Sequence, residues 1–137
     1  MTLHLKRGDV LLYPGTGPDD DGYLPQKSHK CVIVKVDDDD IYVIPISSWK
    51  GYNDITCIFE VSTPGLGLIK SSYVAYWASK KLPKINSIAQ HVSTLPAPVL
   101  SRIMDGITKS RHTPEWFRDA IFPPMTRRIL NAEIKTL

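Results

Sequence analysis

Cysteine is nearly absent from this 137-residue chain, with Cys31 and Cys57 each set inside an apolar run. Two widely spaced cysteines exclude a disulfide framework, and neither belongs to a metal-spaced cluster, so both are expected as buried free thiols. Glycine is scarce, at eight residues; with 42% apolar and 23% charged residues, this excludes a collagen-like or disordered chain. No uncharged apolar stretch approaches the length of a membrane span. The opening Met1 to Asp9 lacks the basic, apolar and cleavage-site sequence of a signal peptide, so a cytoplasmic location is the expectation. The four histidines are scattered, with no His-Glu-Xaa-Xaa-His pattern. Gly65-Leu66-Gly67 lacks the third glycine of a dinucleotide fingerprint, and Gly15-Thr16-Gly17 lacks a Walker lysine. No metal and no cofactor is therefore expected. The length suits one domain with a real core and is too short for two.

The charge that is present is unevenly placed. Seven of the fourteen acids fall in two runs, Asp19–Asp21 and Asp37–Asp40, and none lies between Glu60 and Asp105. That acid-free stretch and its flank carry Lys70, Lys80, Lys81, Lys84 and Arg102. Such separation favours a positive face that attracts a polyanion or an acidic partner, against an ordinary solvated surface.

Short β-rich runs dominate the first two thirds of the chain. Asp9 to Tyr13 forms the first and stops at Pro14-Gly15; residues 15–28, rich in Gly, Asp and Pro, read as a long loop. Residues 31–36 and 41–46 read as a hairpin whose tip is the aspartate tetrad, kept in water by its own repulsion. Further strands are expected over 55–61, from Gly65 to Ile69, and over 72–78, with Ile85 and Ile88 beginning a last strand or a turn. From Leu95 the period changes: Val99, Leu100, Ile103, Met104 and Ile107 recur at helical spacing. A second helix is signalled by Thr113 as N-cap, Pro114 at the first position and Pro123-Pro124 as the stop, and Met125 to Leu130 suggests a short third. The expected fold is mainly β with C-terminal helices. It is one domain over 1–137, with a small curled antiparallel barrel over about 6–93 and a helical part over about 94–137.

The hairpin register brings candidate chemistry together. If 31–36 pairs with 41–46, then Ser28, His29 and Lys30 lie across from Ser47 and Ser48 at the open end. One imidazole, one ammonium and hydroxyls have the parts to bind a phosphate, move a proton and stabilise developing negative charge. The competing reading is a solvated polar hairpin end.

These segments also carry a resemblance. Arg7-Gly8-Asp9-Val10, His29 to Val34, Val43-Ile44-Pro45-Ile46-Ser47-Ser48, Lys70 to Val74 and Leu95 to Ile107 together resemble the MazF/PemK family of bacterial toxins from toxin–antitoxin systems. The resemblance spans roughly residues 6–108 through short motifs, and the helices after Thr113 go beyond it. It implies an SH3-like barrel, a homodimer, and metal-independent cleavage of single-stranded RNA that an antitoxin protein inhibits. It also implies a site pairing an arginine before the strand 31–36 with a Ser or Thr at Ser47. Here the arginine position falls on Lys30, or on His29 with a slip of one residue. Lys30 offers a point charge without the bidentate fork, whereas His29 offers proton transfer near neutral pH. On this reading His29, Lys30 and Ser47 are the catalytic candidates. Ser28 and Ser48 hold substrate, and Tyr13, Trp49, Tyr52 and Trp77 stack unpaired bases. The rival is an inactive barrel of the same ancestry that binds nucleic acid or a regulatory protein.

Overall fold

The computed structural model describes residues 4–14, 28–48, 54–84 and 89–124. Among these residues seven strands and two helices make a mixed α/β fold: β1 (Asp9–Pro14), β2 (Ser28–Val36), β3 (Asp40–Ser48), β4 (Ile58–Phe59), β5 (Ser72–Val74), β6 (Lys80–Pro83), β7 (Gln90–Thr94), α1 (Ala97–Lys109) and α2 (Glu115–Ile121). The sheet is antiparallel, in the order β4-β5-β3-β2-β1-β7, with β6 also paired to β3.

The expected SH3-like barrel is not formed, and with it falls the fold that the MazF/PemK resemblance implied. Among the described residues the sheet stays open: its end strands, β4 and β7, pair only with β5 and β1 respectively. A two-residue β4 has too few backbone groups to form a closing ladder. The apolar face that closure would have protected is covered by helices instead. Val10, Val32, Val34, Tyr42, Ile44 and Ile46 from the sheet pack in one core with Val99, Ile103 and Ile107 of α1 and Phe117 of α2. On the opposite face Leu11, Tyr13, Cys31, Ile33, Ile41 and Val43 form a second buried cluster. Burial on both faces explains why β2 and β3 read as almost continuous apolar runs. The two cysteines are buried and form no disulfide, one in each cluster.

The expected hairpin is present. Cys31 pairs with Pro45 and Val36 with Ile41, with a register shift between Ile33 and Lys35. The Arg7-Gly8 segment closes over that irregularity: Gly8 N–H donates to Ile33 O and Arg7 Nε–H to Val34 O, both at 2.8 Å. Gly8 has φ +95°, a conformation that favours glycine. Asp9 is buried and accepts from Lys6 N–H at 2.9 Å and from Thr94 Oγ1 at 2.8 Å. This opening motif therefore ties β1 to β2 and β7.

Along its outer edge β3 changes partner. Asp40 to Val43 pair with β6, and Ile46 to Ser48 pair with β5. Pro45 sits at the switch, its carbonyl accepting from Ala75 N–H at 2.9 Å. Its missing N–H points to that same edge, where neither ladder needs a donor. The short 3-10 turn Tyr76–Ala78 bridges β5 and β6 beside it.

Other expectations are corrected. The strand over 55–61 shrinks to Ile58–Phe59, residues 65–69 form a turn and irregular backbone, and the strand over 72–78 ends at Val74. Strand β6 arises where none was expected, and β7, expected as a last strand or a turn beginning near Ile85 and Ile88, runs from Gln90 to Thr94. The Thr113 cap is not made: α2 begins at Glu115, Pro114 O accepts from Phe117 and Arg118 N–H, and Thr113 Oγ1 is buried without a hydrogen-bond partner. The third helix at 125–130 and the expectation for Ile85 and Ile88 lie outside the described residues, as does nearly all of the 15–28 loop.

The turn between α1 and α2 is locked to the segment before β4. Asp54 accepts from Thr56 N–H at 2.8 Å and from the Ser110 hydroxyl, which in turn accepts from His112 N–H at 3.1 Å. Burial pushes the Asp54 carboxyl upward. The hydrogen bonds from Ser110 and Thr56, with the charge of His112, outweigh it, and the pKa falls below the ordinary carboxylate value. A depressed native pKa means the unfolded state binds the proton first on acidification. The stabilisation is thus complete above about pH 4 and fades as pH falls through the native value. Urea midpoints of the native protein and Asp54→Asn are accordingly expected to differ at pH 7 and to converge below about pH 4. A gap unchanged by acid would remove this lock.

Candidate functional site

The open end of the β2–β3 hairpin is where sequence reasoning placed the chemistry. The paired ladder ends at Cys31↔Pro45. Beyond it β2 and β3 are paired only along their other edges: His29 with Tyr13 and Lys30 with Leu12 on β1, Ser47 with Tyr73 and Ser48 with Ser72 on β5.

Strand alternation then divides the candidate group. Successive side chains point to opposite faces. His29 follows Cys31 on the face of the second cluster, and Ser47 follows Pro45 on the same side of β3, opposite Tyr73 of a separate small cluster with Ala75 and Ala78. Lys30 and Ser48 follow Val32, Ile44 and Ile46 on the face covered by helices. His29 and Ser47 are both half-buried, and Ser48 is exposed. Lys30 is committed elsewhere, its ammonium donating to Gly67 O at 2.5 Å. Gly67 has φ +58°, and a Cβ built there would stand 3.2 Å from Lys30 Nζ, so the close approach suits glycine. The four groups expected at one point are therefore two pairs on two faces.

Two of the aromatic candidates are described. Tyr13 is 4% exposed, and its hydroxyl donates to Pro83 O at 3.1 Å, so its ring is a packing element with no face for a base. This corrects its expected role in stacking. Trp77, on the 3-10 turn beside Pro45, is 43% exposed and keeps a face in water. Trp49 and Tyr52 lie outside the described residues, as does the Ser28 side chain. Trp116 is 51% exposed and meets Phe117 edge-on with 5.5 Å between ring centroids.

The acidic tip is an ordinary turn, with Asp37 N–H donating to Asp40 O at 2.8 Å. Lys35 and Lys81 lie 3.8 and 3.6 Å from Asp37 and Asp40, and both ammonium groups lie over the Tyr42 ring. Part of the basic surplus thus serves the fold. Among the described residues no group of three His, Cys, Asp or Glu side chains is placed to hold a metal. Nor is any helix among them long and apolar enough to cross a membrane.

Sequence reasoning missed a second concentration of charge, in which Lys109, Arg111 and His112 face the segment 54–56. Its signal is spatial: Ser110 and Asp54, the pair that holds it, are 56 residues apart.

No family model matches the chain, and no curated protein matches it.

Proposed function

We propose that the protein is a cytoplasmic toxin-like endoribonuclease that cleaves single-stranded RNA without a metal ion. The observation that carries this reading is the shared face of His29 and Ser47, two half-buried polar side chains just past the last pair of the central hairpin. RNA brings its own nucleophile. The 2′-oxygen attacks the adjacent phosphorus and its proton passes to a base. The bond from phosphorus to the 5′-oxygen breaks, and that oxygen takes up a proton. With the nucleophile in the substrate, no metal is needed to generate hydroxide. His29 serves one of the two proton transfers and Ser47 donates a hydrogen bond to a non-bridging phosphate oxygen. The exposed Trp77 ring offers a flat surface for an unpaired base.

The expected partners are a second copy of the chain and a small antitoxin protein that covers the site. Ile69, Trp77 and Val92 are exposed, and β4 and β7 present sheet edges, surfaces that association would cover. Light scattering that gives a single chain mass at tens of micromolar would count against the homodimer.

A second reading is favoured by one observation, the Lys30 ammonium held by Gly67 O on the face away from His29. Without that cation the phosphate has less to neutralise it, and the domain binds nucleic acid or a regulatory protein without cutting. Single-stranded RNA incubated with the purified protein in EDTA decides between the two. The enzyme reading expects cleavage that leaves a 2′,3′-cyclic phosphate and a 5′-hydroxyl. Bound RNA that stays intact, or cleavage abolished by EDTA, overturns it.

A further inference from the structure

A cleft of about 360 Å³ opens between the segment before β4 and the turn joining α1 to α2, lined by Asp54, Ile55, Thr56, Lys109, Arg111 and His112. A smaller one of about 150 Å³ shares Thr56 and Lys109 with it, and there Arg102 and Asp105 supply opposite charges. Three features of the larger cleft point to one kind of ligand.

The first is charge without a partner. Among the described residues, neither Lys109 nor Arg111 makes a side-chain hydrogen bond or ion pair. Two cations therefore face a single carboxylate. Both Asp54 oxygens already accept hydrogen bonds, from Thr56 N–H and Ser110 Oγ, so this group is spent on the framework. The second feature is order. The link from Asp54 through Ser110 to His112 N–H fixes the turn that carries Arg111 and His112, so part of the cost of arranging these groups is already met before a ligand arrives. The third is shape. Small-molecule sites run from roughly 300 to 1,000 Å³, and a cleft of this size holds more than a bare anion. Its rim carries Ile55, which is 72% exposed and gives an apolar surface beside the cations.

We propose that this cleft binds a phosphate ester of mononucleotide size. The phosphate lies between Lys109 and Arg111, with the His112 ring in reach, and the sugar and base rest against Ile55. Arginine and lysine divide the task, the guanidinium gripping two oxygens and the ammonium acting as a point charge. The ligand's source is either a free nucleotide or the 5′-phosphorylated end of an RNA chain. The proposal goes beyond RNA cleavage at the hairpin end and stands whether or not that reaction occurs.

Calorimetric titration at low salt tests it, with uridine 5′-monophosphate, inorganic phosphate and uridine as probes. The monophosphate is expected to bind, more tightly than inorganic phosphate, and uridine to show no binding. Lys109→Gln combined with Arg111→Gln is expected to weaken the monophosphate by about tenfold or more while the thermal midpoint stays near that of the native protein. Ile55→Ser is expected to weaken the monophosphate and leave inorganic phosphate unchanged. His29→Ala is expected to bind the monophosphate as the native protein does, which separates this site from the hairpin end. A 5′-phosphorylated RNA hexamer that binds more tightly than the monophosphate, with its 5′-hydroxyl counterpart not binding, assigns the source to RNA ends; equal affinity for hexamer and monophosphate assigns it to free nucleotides. Monophosphate binding that is absent in the folded native protein, or that survives the double substitution intact, overturns the proposal. Inorganic phosphate binding as tightly as the monophosphate overturns the nucleotide-sized occupant.

Discussion

Gly106→Ala is expected to cost about 3 kcal/mol or more of stability, although the substitution is favourable to a helix. By propensity alone, alanine in a helix interior gains roughly 1 kcal/mol over glycine. Here a Cβ would be driven into the Tyr76 phenol, overlapping its oxygen and ring and standing 2.9 Å from Cε2. That ring has nowhere to go. Tyr76 is fully buried, and its hydroxyl donates to Ile103 O at 2.8 Å, one turn before Gly106 on the same helix. Burial also raises the phenol far above its ordinary pKa, so it remains a neutral donor at any working pH. Overpacking of a filled core costs typically 1–3 kcal/mol and more where neighbours cannot shift. Against a total stability of roughly 5–15 kcal/mol, that loss is large. Urea unfolding measures it. Adding Tyr76→Phe is expected to recover little, because the ring carbons remain in the way. A Gly106→Ala protein with the native midpoint would mean that α1 does not pack on the 3-10 turn as described.

That contact also shows where sequence reasoning reaches. The stripe Val99, Ile103 and Ile107 was legible because helical spacing exposes it, and all three are buried against the sheet. Gly106 was not, since nothing local marks a glycine as the seat of a distant tyrosine. The central hairpin was legible because both of its faces are buried. Strand β7, anticipated only as a last strand or a turn beginning near Ile85 and Ile88, is an edge strand of Gln90, His91, Val92, Ser93 and Thr94 with most residues exposed, so it carries little apolar signal. The opposite error fell on residues 55–61. Their apolar content suggested a long strand, yet Asp54 holds Thr56 in a turn and only Ile58 and Phe59 pair. Many short strands suggested a closed barrel. The two helices that cover the same face were visible in the sequence, but their effect on closure was not.

Replacing His29 with alanine is expected to lower single-turnover RNA cleavage by about 10²–10⁴, the range for losing one positioned general acid or base. His29 lies opposite Tyr13 on β1, and strand alternation from the Cys31–Pro45 pair sets it on the same face as Ser47. Ser47→Ala is expected to cost less, since a single neutral donor is lost and water can replace part of it. Lys30→Ala gives the contrast. Its ammonium is engaged with Gly67 O, so the main effect is expected on the 65–69 turn, with the chemical step nearly unchanged. Rates measured with enzyme in excess, on variants whose circular dichroism matches the native protein, separate chemistry from binding. Full activity in His29→Ala would place the proton transfer on another group.

The site was legible only in part, for the same physical reasons. Pairing 31–36 with 41–46 correctly located His29 and Ser47 near one hairpin end. It did not show that β2 and β3 part company after Cys31 and Pro45, nor that alternation sets Lys30 and Ser48 on the other face. Tyr13 read as a stacking surface because aromatic residues carry no mark of burial. Arg7-Gly8-Asp9 drew attention as a motif, and its groups prove to be spent on Val34 O, Ile33 O and Thr94. The cleft at Lys109 and Arg111 had no linear signature, being assembled from segments more than fifty residues apart.

The most direct test of the central claim is cleavage of two RNAs that differ at one atom. Once the cut position is mapped, the same strand is made with a single 2′-deoxy sugar on the 5′ side of the scissile phosphate. Both are incubated with the native protein in EDTA. If the 2′-oxygen is the nucleophile, the all-ribose strand is cut and the substituted strand stays intact at that position, while both bind with similar affinity. Equal cleavage of the two strands would contradict attack by the 2′-oxygen, and with it the role assigned to His29 and Ser47.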